Sequence, residues 1–356
     1  MKSLDDLLSR GVNDRVFSQA RAVVRSKGQV VYEGGNASAE SVFDLASVTK
    51  VMSTTTLLCR LAARGALDLR APVRSILPTA RVEATVADLA FHRSGLPAFL
   101  PFFAQVKKEH PELFERPTPA LQQRVRDEVV ARVLDVAAER PPGVAAVYSD
   151  LGFIVLGEVI AAVTKRPLDQ AFTEEIAAPL KLSSCFRPRA SNVVDTGGTR
   201  PREPAPGQES MWQCPTWPSR SGEVDDDNAW VMNGVAGHAG LFSNAADVAR
   251  FGQAVLDGWL VSPLGWSADA TMPGSTRSFG FDTPSAEGAS CGPRFGRSGP
   301  RGAIGHLGFT GTSLWIDFDR ELVVTLLTNR VVFGRANVQI RAFRPAFHEA
   351  VLDALG

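Results

Sequence analysis

The stretch Ser47-Val48-Thr49-Lys50 places a hydroxyl group and an amine three residues apart, at the start of a long apolar segment. If that segment is a helix, residues i and i+3 lie on one face, where the Lys50 amine can take the Ser47 proton. Unpaired backbone N–H groups at a helix N-terminus also favour the negative charge that develops when a serine attacks a carbonyl group. Taken alone, the same four residues also fit a capping serine followed by a solvated lysine.

The residues after Lys50 are apolar on nearly every side, which predicts a helix buried in the middle of the fold. The apolar positions are Val51, Met52, Leu57, Leu58, Leu61 and Ala62. Gly65 is placed to end this helix. Lys50 then carries a charge into the interior, and burial is expected to lower the pKa of its amine. A buried lysine on a helix that otherwise avoids charge indicates a functional residue.

The composition is that of a globular protein of 356 residues, with 44% hydrophobic and 21% charged residues. Lysine and arginine together number 38, as do aspartate and glutamate, so no net charge favours nucleic acid or an anionic membrane. We therefore expect a small-molecule or peptide substrate and no nucleic-acid partner. The oligomeric state does not follow from the sequence.

The cysteines, Cys59, Cys185, Cys214 and Cys291, are far apart and form no C-x-x-C pair, so neither a zinc ribbon nor a thioredoxin-like site is indicated. The run Asp225-Asp226-Asp227 and His238 are interpreted as an acidic turn and a packed histidine rather than as metal ligands. We predict neither a metal nor a cofactor.

The N-terminus becomes acidic at Asp5 and Asp6 before any apolar run forms, so it does not resemble a secretory signal. No later stretch approaches the length of a membrane span. These features predict a cytoplasmic protein. A chain from which a leader had been removed would look the same, which leaves an extracytoplasmic location open.

Strand patterns occur near both ends of the chain and helical patterns between them. Strands are predicted at 22–25, 30–33, 313–318 and 322–328, and helices at 4–12, 86–91, 121–138, 151–163, 248–255 and 338–355. Residues 187–227 are interpreted as an ordered loop, because Trp212, Trp217 and Trp230 need a surface to pack on. The order predicts an α/β lobe from residues 1–84 and 232–356, an inserted mainly helical lobe at 85–231, and an active site between them.

Three motifs follow one another: Ser47-Val48-Thr49-Lys50, Tyr148-Ser149-Asp150 and, before a predicted strand, His306-Leu307-Gly308-Phe309-Thr310-Gly311. In this order they resemble the motifs of the serine β-lactamase and penicillin-binding-protein superfamily, nearest the class C β-lactamase and esterase branch. That branch carries Ser-x-x-Lys, Tyr-x-Asn and Lys-Thr-Gly or His-x-Gly. Residues 91–97 and 234–243 are also similar to stretches of this branch.

The resemblance implies a β-lactamase-like fold, with an antiparallel sheet flanked by helices. Ser47 is then the nucleophile, and Lys50 and Tyr148 form a proton-relay pair in which the ammonium lowers the pKa of the phenol. Which of the two takes the serine proton stays open. The oxyanion hole is expected to use the N–H of Ser47 and, by resemblance, that of Phe309 on an edge strand, while Gly308 lets substrate approach the backbone.

Two residues depart from the motifs. Asp150 stands where many relatives have asparagine, and its carboxylate either tends to hold Lys50 protonated in the site or caps the helix that begins at Leu151. His306 replaces a lysine, which removes a permanent cation that would hold a substrate carboxylate. A histidine that is largely neutral suits an ester or a neutral amide better. His92, which has no nearby partner in the sequence, is interpreted as structural.

Together these features predict a serine hydrolase that forms an acyl-enzyme with a small ester, a β-lactam or a cell-wall-derived peptide. The alternative is a catalytically silent relative that binds a peptide or a cell-wall fragment as a sensor. The presence of Ser47, Lys50 and Tyr148 together favours the enzyme, because a silent relative has no chemical need for all three.

Overall fold

The computed structural model describes residues 2–197, 222–269, 271–272, 275–285 and 287–356, together with the backbone of two short strands at 199–200 and 217–218. The helices are α1 (Lys2–Asn13), α2 (Thr56–Ala63), α3 (Val73–Ile76), α4 (Val86–Ala90), α5 (Phe102–Glu109), α6 (Glu112–Glu115), α7 (Pro119–Leu134), α8 (Asp150–Thr164), α9 (Leu168–Phe172), α10 (Ala178–Leu180), α11 (Asp227–Val231), α12 (Ala245–Leu256) and α13 (Ile340–Leu355). Lys50–Thr55 and Thr173–Ala177 are π-helical, and Arg330–Phe333 is a 3₁₀ helix.

The strands are β1 (Ala20–Ser26), β2 (Gln29–Gly34), β3 (Phe43–Asp44), β4 (Cys185–Phe186), β5 (Thr199–Arg200), β6 (Trp217–Pro218), β7 (Leu241–Ser243), β8 (Ala303–Leu307), β9 (Ser313–Asp317) and β10 (Leu322–Thr328). Within the predicted loop 187–227, β5 pairs with β6, and Trp230 lies in α11. Trp212 and the side chain of Trp217 lie outside the described residues.

An antiparallel five-stranded sheet is assembled from both ends of the chain, in the order β2-β1-β10-β9-β8. It confirms the strands predicted at 22–25 and 30–33, which pair as the hairpin β1–β2, and the predicted strands β9 and β10. Strand β8 was not predicted, because Gly305 interrupts it and weakens its β propensity. A Cβ at Gly305 would collide with the Trp315 ring. The glycine therefore allows β8 to pair closely with β9 as the edge strand.

Both faces of the sheet are covered. Helix α12 packs on β1, β9 and β10. On the other face α1 and α13 pack together over a core that includes Leu8, Val24, Trp315 and Phe347. The chain therefore places its first and last helices on the face opposite α12.

Helix α8 is the centre of the helical part, and it packs against α4, α7, α9 and the π-helical segment at Lys50. Helix α7 ends at Leu134 rather than at residue 138, since the chain turns so that the Glu139 N–H bonds the Gly95 carbonyl at 2.9 Å. One apolar core runs from the sheet to α8. The division into lobes at residues 84 and 231 stays a prediction.

None of the described helices is both long and apolar enough to cross a bilayer.

Candidate active site

A strained turn presents Ser47. After β3, Ala46 adopts a left-handed conformation with a φ of 47°, which is uncommon for a residue other than glycine. The Asp44 carboxylate stabilises this turn, because its Oδ1 accepts the Ala46 N–H at 2.8 Å. Strain of this kind persists where the surroundings fix it, and it clusters at active sites. The half-buried Ser47 comes directly before the helical residues, which begin at residue 48.

Lys50 is fully buried at the start of the π-helical segment. Its Nζ donates to Ser47 Oγ at 3.0 Å, to Asp150 Oδ1 at 2.7 Å and to the His238 carbonyl at 3.0 Å. An ammonium group has three donors, and these three acceptors use all of them. Burial by itself lowers the pKa of Lys50, but the nearby Asp150 and Tyr148 outweigh it and raise the pKa above its usual value. The expectation of a lowered pKa was therefore wrong.

The His238 carbonyl reaches Lys50 because residues 234–243 approach α8 closely. A Cβ at Gly237 would overlap the carbonyl oxygen of Phe153 and crowd the backbone of Gly157. The stretch 234–243 therefore supplies a carbonyl acceptor for the Lys50 ammonium beside Ser47.

Tyr148 is adjacent to this cluster. The Lys50 Nζ lies 4.9 Å from the centre of the Tyr148 ring, and both Lys50 and Ser47 are near enough to influence the pKa of the phenol. Burial raises the pKa of Tyr148, and the opposing effect of the Lys50 ammonium does not reverse this. The expected lowering of the phenol pKa was wrong, because desolvation exceeds the attraction of one ammonium that Asp150 already neutralises. The phenol is therefore protonated in the resting site.

Asp150 is the first residue of α8, and it pairs with Lys50 rather than capping the helix. The cap is Ser149, whose Oγ accepts the Gly152 N–H at 3.2 Å and donates to the Pro97 carbonyl at 2.7 Å. The capping interpretation of Asp150 was therefore wrong. Because Ser149 supplies the cap, the Asp150 side chain is free to pair with Lys50.

His92 accepts hydrogen bonds from the residues directly before and after Tyr148. The sequence suggested only a structural role for this histidine. Its carbonyl accepts the Val147 N–H at 2.8 Å, and its Nδ1 accepts the Ser149 N–H at 3.0 Å. The His92 ring packs 4.6 Å from the Tyr148 ring, centre to centre. Burial, followed by nearby cations, lowers the pKa of His92 well below its usual value. This neutral histidine fixes the position of Tyr148. Its signal was the similarity of residues 91–97 to the class C branch.

His306 lies on β8, and the motif that it begins comes directly before β9, the strand predicted at 313–318. Its Nδ1 is 2.8 Å from the Leu307 carbonyl, so this nitrogen carries the proton. Burial lowers the pKa of His306 well below its usual value, with nearby Lys50 acting in the same direction. The ring is neutral, and its buried Nε2 has no hydrogen-bond partner within the described part of the chain. The Nε2 lone pair can therefore accept a hydrogen bond.

Phe309 lies in the turn between β8 and β9 (residues 308–312, the β8–β9 turn) and not on an edge strand as predicted. Gly308 has a packing role: a Cβ there would overlap Thr312 Oγ1 and come within 2.5 Å of the Leu45 carbonyl oxygen. This contact with the segment before Ser47 is a second reason for a glycine at this position, and the role of Gly308 in substrate approach stays a prediction.

Two threonines connect the β8–β9 turn to the strand that leads to Ser47. Thr310 Oγ1 donates to the Asp44 carbonyl at 2.8 Å, and Thr312 Oγ1 donates to the Leu45 carbonyl at 2.9 Å. The backbone segments that carry Ser47 and Phe309 are therefore held against each other.

Two adjoining pockets share Ser47, Tyr148, Phe309 and Arg335. The acidic pocket, of about 220 Å³, also contacts Asp150, Asp225, Asp226 and Asp227. The basic pocket, of about 300 Å³, also contacts Arg277, Asp282, His306, Arg330, Arg341 and Arg344. Phe309 is 44% exposed at their junction, so it offers an apolar surface to any molecule that reaches Ser47.

The carboxylates of the acidic pocket have protein partners. Asp226 Oδ1 lies 3.0 Å from His238 Nε2 and accepts the Ala229 N–H at the start of α11, and Asp227 accepts a hydrogen bond from Arg335 at 2.7 Å. These contacts fit the interpretation of an acidic turn beside a packed histidine.

Arg277 supplies a permanent cation beside the third motif, where the sequence suggested none. Its guanidinium lies 4.9 Å from the centre of the Tyr148 ring and 3.4 Å from Asp282. It comes from the irregular segment between α12 and β8, which has no periodic pattern. Nothing in the sequence could have placed it at the site, because only the tertiary fold brings this segment to β8.

Comparison with known proteins identifies the family. The chain matches the family described as Beta-lactamase over residues 4–344. It is 30% identical over 318 residues to the N-acetylmuramyl-L-alanine amidase of Bacillus subtilis, covering 82% of this chain and 68% of that protein. It is 27% identical over 351 residues to a putative D-alanyl-D-alanine carboxypeptidase of Escherichia coli, covering 89% and 76%.

Solved structures share the fold. The octameric penicillin-binding protein homologue of Pyrococcus abyssi superposes with a TM-score of 0.70 at 17% identity, covering 99% of this chain and 77% of the other. EstCE1, a hydrolase with promiscuous acyltransferase activity, superposes with a TM-score of 0.67 at 19% identity, covering 97% and 98%. Because the family match spans nearly the whole sequence, the chain belongs to the beta-lactamase family of β-lactamase-like serine hydrolases.

Proposed function

We propose that the protein hydrolyses an amide or an ester through an acyl-enzyme formed on Ser47, as a member of the class C branch. The observation that carries this proposal is the position of Lys50, whose Nζ contacts Ser47 Oγ at 3.0 Å while it is fully buried. A capping serine with a solvated lysine does not explain that burial, since an ammonium is costly to desolvate.

The reaction begins when one proton has left the Lys50–Tyr148 pair, because both groups are protonated at rest. The pair then takes the Ser47 proton while Oγ attacks the carbonyl carbon, and it returns the proton to the leaving nitrogen or oxygen. Water next attacks the acyl-enzyme ester, which releases a carboxylic acid and restores Ser47. Asp150 stabilises the resting, protonated form of the pair.

The negative charge on the attacked oxygen is expected to meet the N–H groups of Ser47 and Phe309. No hydrogen bond within the described residues occupies either group. The contacts of Thr310 and Thr312 with the segment before Ser47 favour this role because they fix the two donors relative to each other.

We propose an amide substrate that carries a carboxylate, which the basic pocket binds through Arg277. Guanidinium groups suit carboxylates, and neutral His306 offers an acceptor rather than a charge. The relatives named as an amidase and a carboxypeptidase favour an amide from the bacterial cell wall. This proposal differs from the expectation, drawn from His306, that an ester or a neutral amide suits the site better.

The test is intact-mass measurement after mixing the protein with p-nitrophenyl acetate, a fluorophosphonate, cephalosporins and muropeptides. We expect a covalent mass increment with the fluorophosphonate on the wild-type protein and none on Ser47→Ala. Exposed Ser75→Ala serves as the matched control and should be labelled like the wild type.

An unlabelled wild-type protein that is stabilised against heat by a muropeptide, with no product formed, would contradict the proposal and favour a silent sensor. Hydrolysis of muropeptides with and without a free carboxylate tests the substrate class, since Arg277→Gln should slow only the former. If Arg277→Gln slowed the hydrolysis of both kinds of muropeptide equally, or of neither, Arg277 would have no role in binding the carboxylate, and the role of Ser47 would be unaffected.

A further inference from the structure

Arg344, on α13, is a buried cation that has no counterion among the residues that the structure describes. Its side chain is 6% exposed, and no carboxylate in the described parts of the chain forms an ion pair with it. Burial, followed by the repulsion of Arg330, lowers the pKa of Arg344 to about 9, which still leaves it charged at neutral pH. Burying a cation without a carboxylate beside it costs free energy. The groups that accept hydrogen bonds from Arg344 therefore indicate its function.

Arg344 is bonded to the β8–β9 turn at both ends. Its Nη2 donates to the Gly308 carbonyl at 2.6 Å and to the Thr312 carbonyl at 2.8 Å. Thr312 O also accepts the Gly308 N–H at 2.7 Å. The guanidinium therefore closes the turn that contains Phe309.

The Gly308 carbonyl and the Phe309 N–H belong to one peptide group. In a trans peptide these two bonds point in opposite directions, and resonance couples the oxygen to the nitrogen. A cation bonded to the oxygen draws electron density from the nitrogen, which strengthens the N–H as a donor. It also fixes the plane of the peptide, so the N–H points away from Arg344.

We propose that Arg344 is a positioning residue of the oxyanion hole, which orients and polarises the Gly308–Phe309 peptide so that the Phe309 N–H binds the developing oxyanion more strongly. This inference rests on the proposed acyl-enzyme function. It explains why an unpaired cation is kept at this place. The charge acts through the peptide on an anion that exists only during the reaction.

Arg330 provides the internal contrast. Its Nε donates to the Phe309 carbonyl at 2.6 Å, which belongs to the next peptide group along the chain. Arg330 therefore stabilises the turn without polarising the Phe309 N–H. The two arginines have different effects on the same residue.

The experiment is infrared difference spectroscopy of the acyl-enzyme formed by rapid mixing with p-nitrophenyl acetate carrying ¹³C in its carbonyl group. This probe has no carboxylate, so binding of a substrate anion by Arg344 cannot contribute. In Arg344→Met and in Arg344→Gln the labelled carbonyl band should move to higher wavenumber. The kcat/KM should fall by about tenfold to a hundredfold with little change in KM. Arg344→Lys, which keeps the charge, should recover most of the activity.

The matched control is His348→Leu, one helical turn further along α13 and also fully buried. It tests whether disturbed packing of α13 alone moves the band, and we expect no movement. A folded Arg344→Met or Arg344→Gln protein that is acylated and shows the wild-type band overturns the role of Arg344 and leaves the acyl-enzyme proposal standing. A wild-type protein that gives no acyl band and no mass increment overturns both.

Discussion

Lys50 and Arg344 are both buried cations close to Ser47, yet the protein treats their charges differently. Asp150 lies 2.7 Å from Lys50, and the pKa of Lys50 is raised. Arg344 has only carbonyl partners among the described residues, and its pKa is lowered to about 9. A paired cation can exchange a proton within its cluster, whereas an unpaired cation acts through its field. The first suits proton transfer and the second suits stabilisation of an anion.

Of the two buried cations, Lys50 should cause the larger loss of activity when it is removed. Lys50→Met removes one member of the Lys50–Tyr148 pair that takes the Ser47 proton, so kcat/KM for p-nitrophenyl acetate should fall by about 10³–10⁴-fold. The loss should exceed that of Arg344→Met, which only weakens a donor. Steady-state kinetics at pH 7 measures both, and exposed Lys108→Met is the control. An equal loss in the two buried variants would contradict the division of roles.

A smaller loss of activity is expected when the position of Tyr148 beside Lys50 is disturbed. His92→Leu removes the acceptor of the Ser149 N–H, and we expect kcat to fall by about tenfold with little change in KM. His92→Asn should retain most of the activity, because asparagine tolerates the φ of 58° and offers an acceptor at the same position.

The His92 effect should disappear when Tyr148 is already disabled. In a Tyr148→Phe background, His92→Leu should cause little further loss, and a double-mutant cycle measures this coupling. Additive losses would show that His92 acts on the fold in general and not through Tyr148.

The smallest effect on activity is expected when the Asp150–Lys50 ion pair is removed. Asp150 raises the pKa values of both Lys50 and Tyr148, so it keeps the proton that must leave before attack. Asp150→Asn removes this effect, and the acidic limb of the kcat/KM profile should move to lower pH, with a several-fold gain at pH 6. Exposed Asp135→Asn is the control. An acidic limb that moved to higher pH would contradict the protonated resting state.

The sequence predicted most of the secondary structure that builds the sheet and its flanking helices, because alternating and helical periodicities report on burial. It missed β8, where Gly305 removes the strand signal and only pairing with β9 makes the strand. It also could not place Arg277, whose segment has no periodicity. The β8–β9 contact joins neighbouring strands and forms only when the hairpin folds, whereas the contact of Arg277 with Tyr148 joins residues that are distant along the chain.

The protonation states show the same limit. From the sequence, burial was expected to lower the pKa of Lys50, and Lys50 was expected to lower the pKa of Tyr148. The pKa of a buried group depends on the balance between desolvation and charges a few ångströms away. That balance cannot be read from spacing, and both directions came out reversed.

The sequence by itself determined the family and the order of its three motifs, because the local residue types in Ser47-Val48-Thr49-Lys50, Tyr148-Ser149-Asp150 and His306-Leu307-Gly308 are sufficient to identify them. Only the tertiary structure decided that Asp150 pairs with Lys50, that His92 holds Tyr148 and that Arg344 binds the Gly308 carbonyl. Hydrogen bonds and charges act over a few ångströms, and folding alone brings residues more than thirty positions apart within that range.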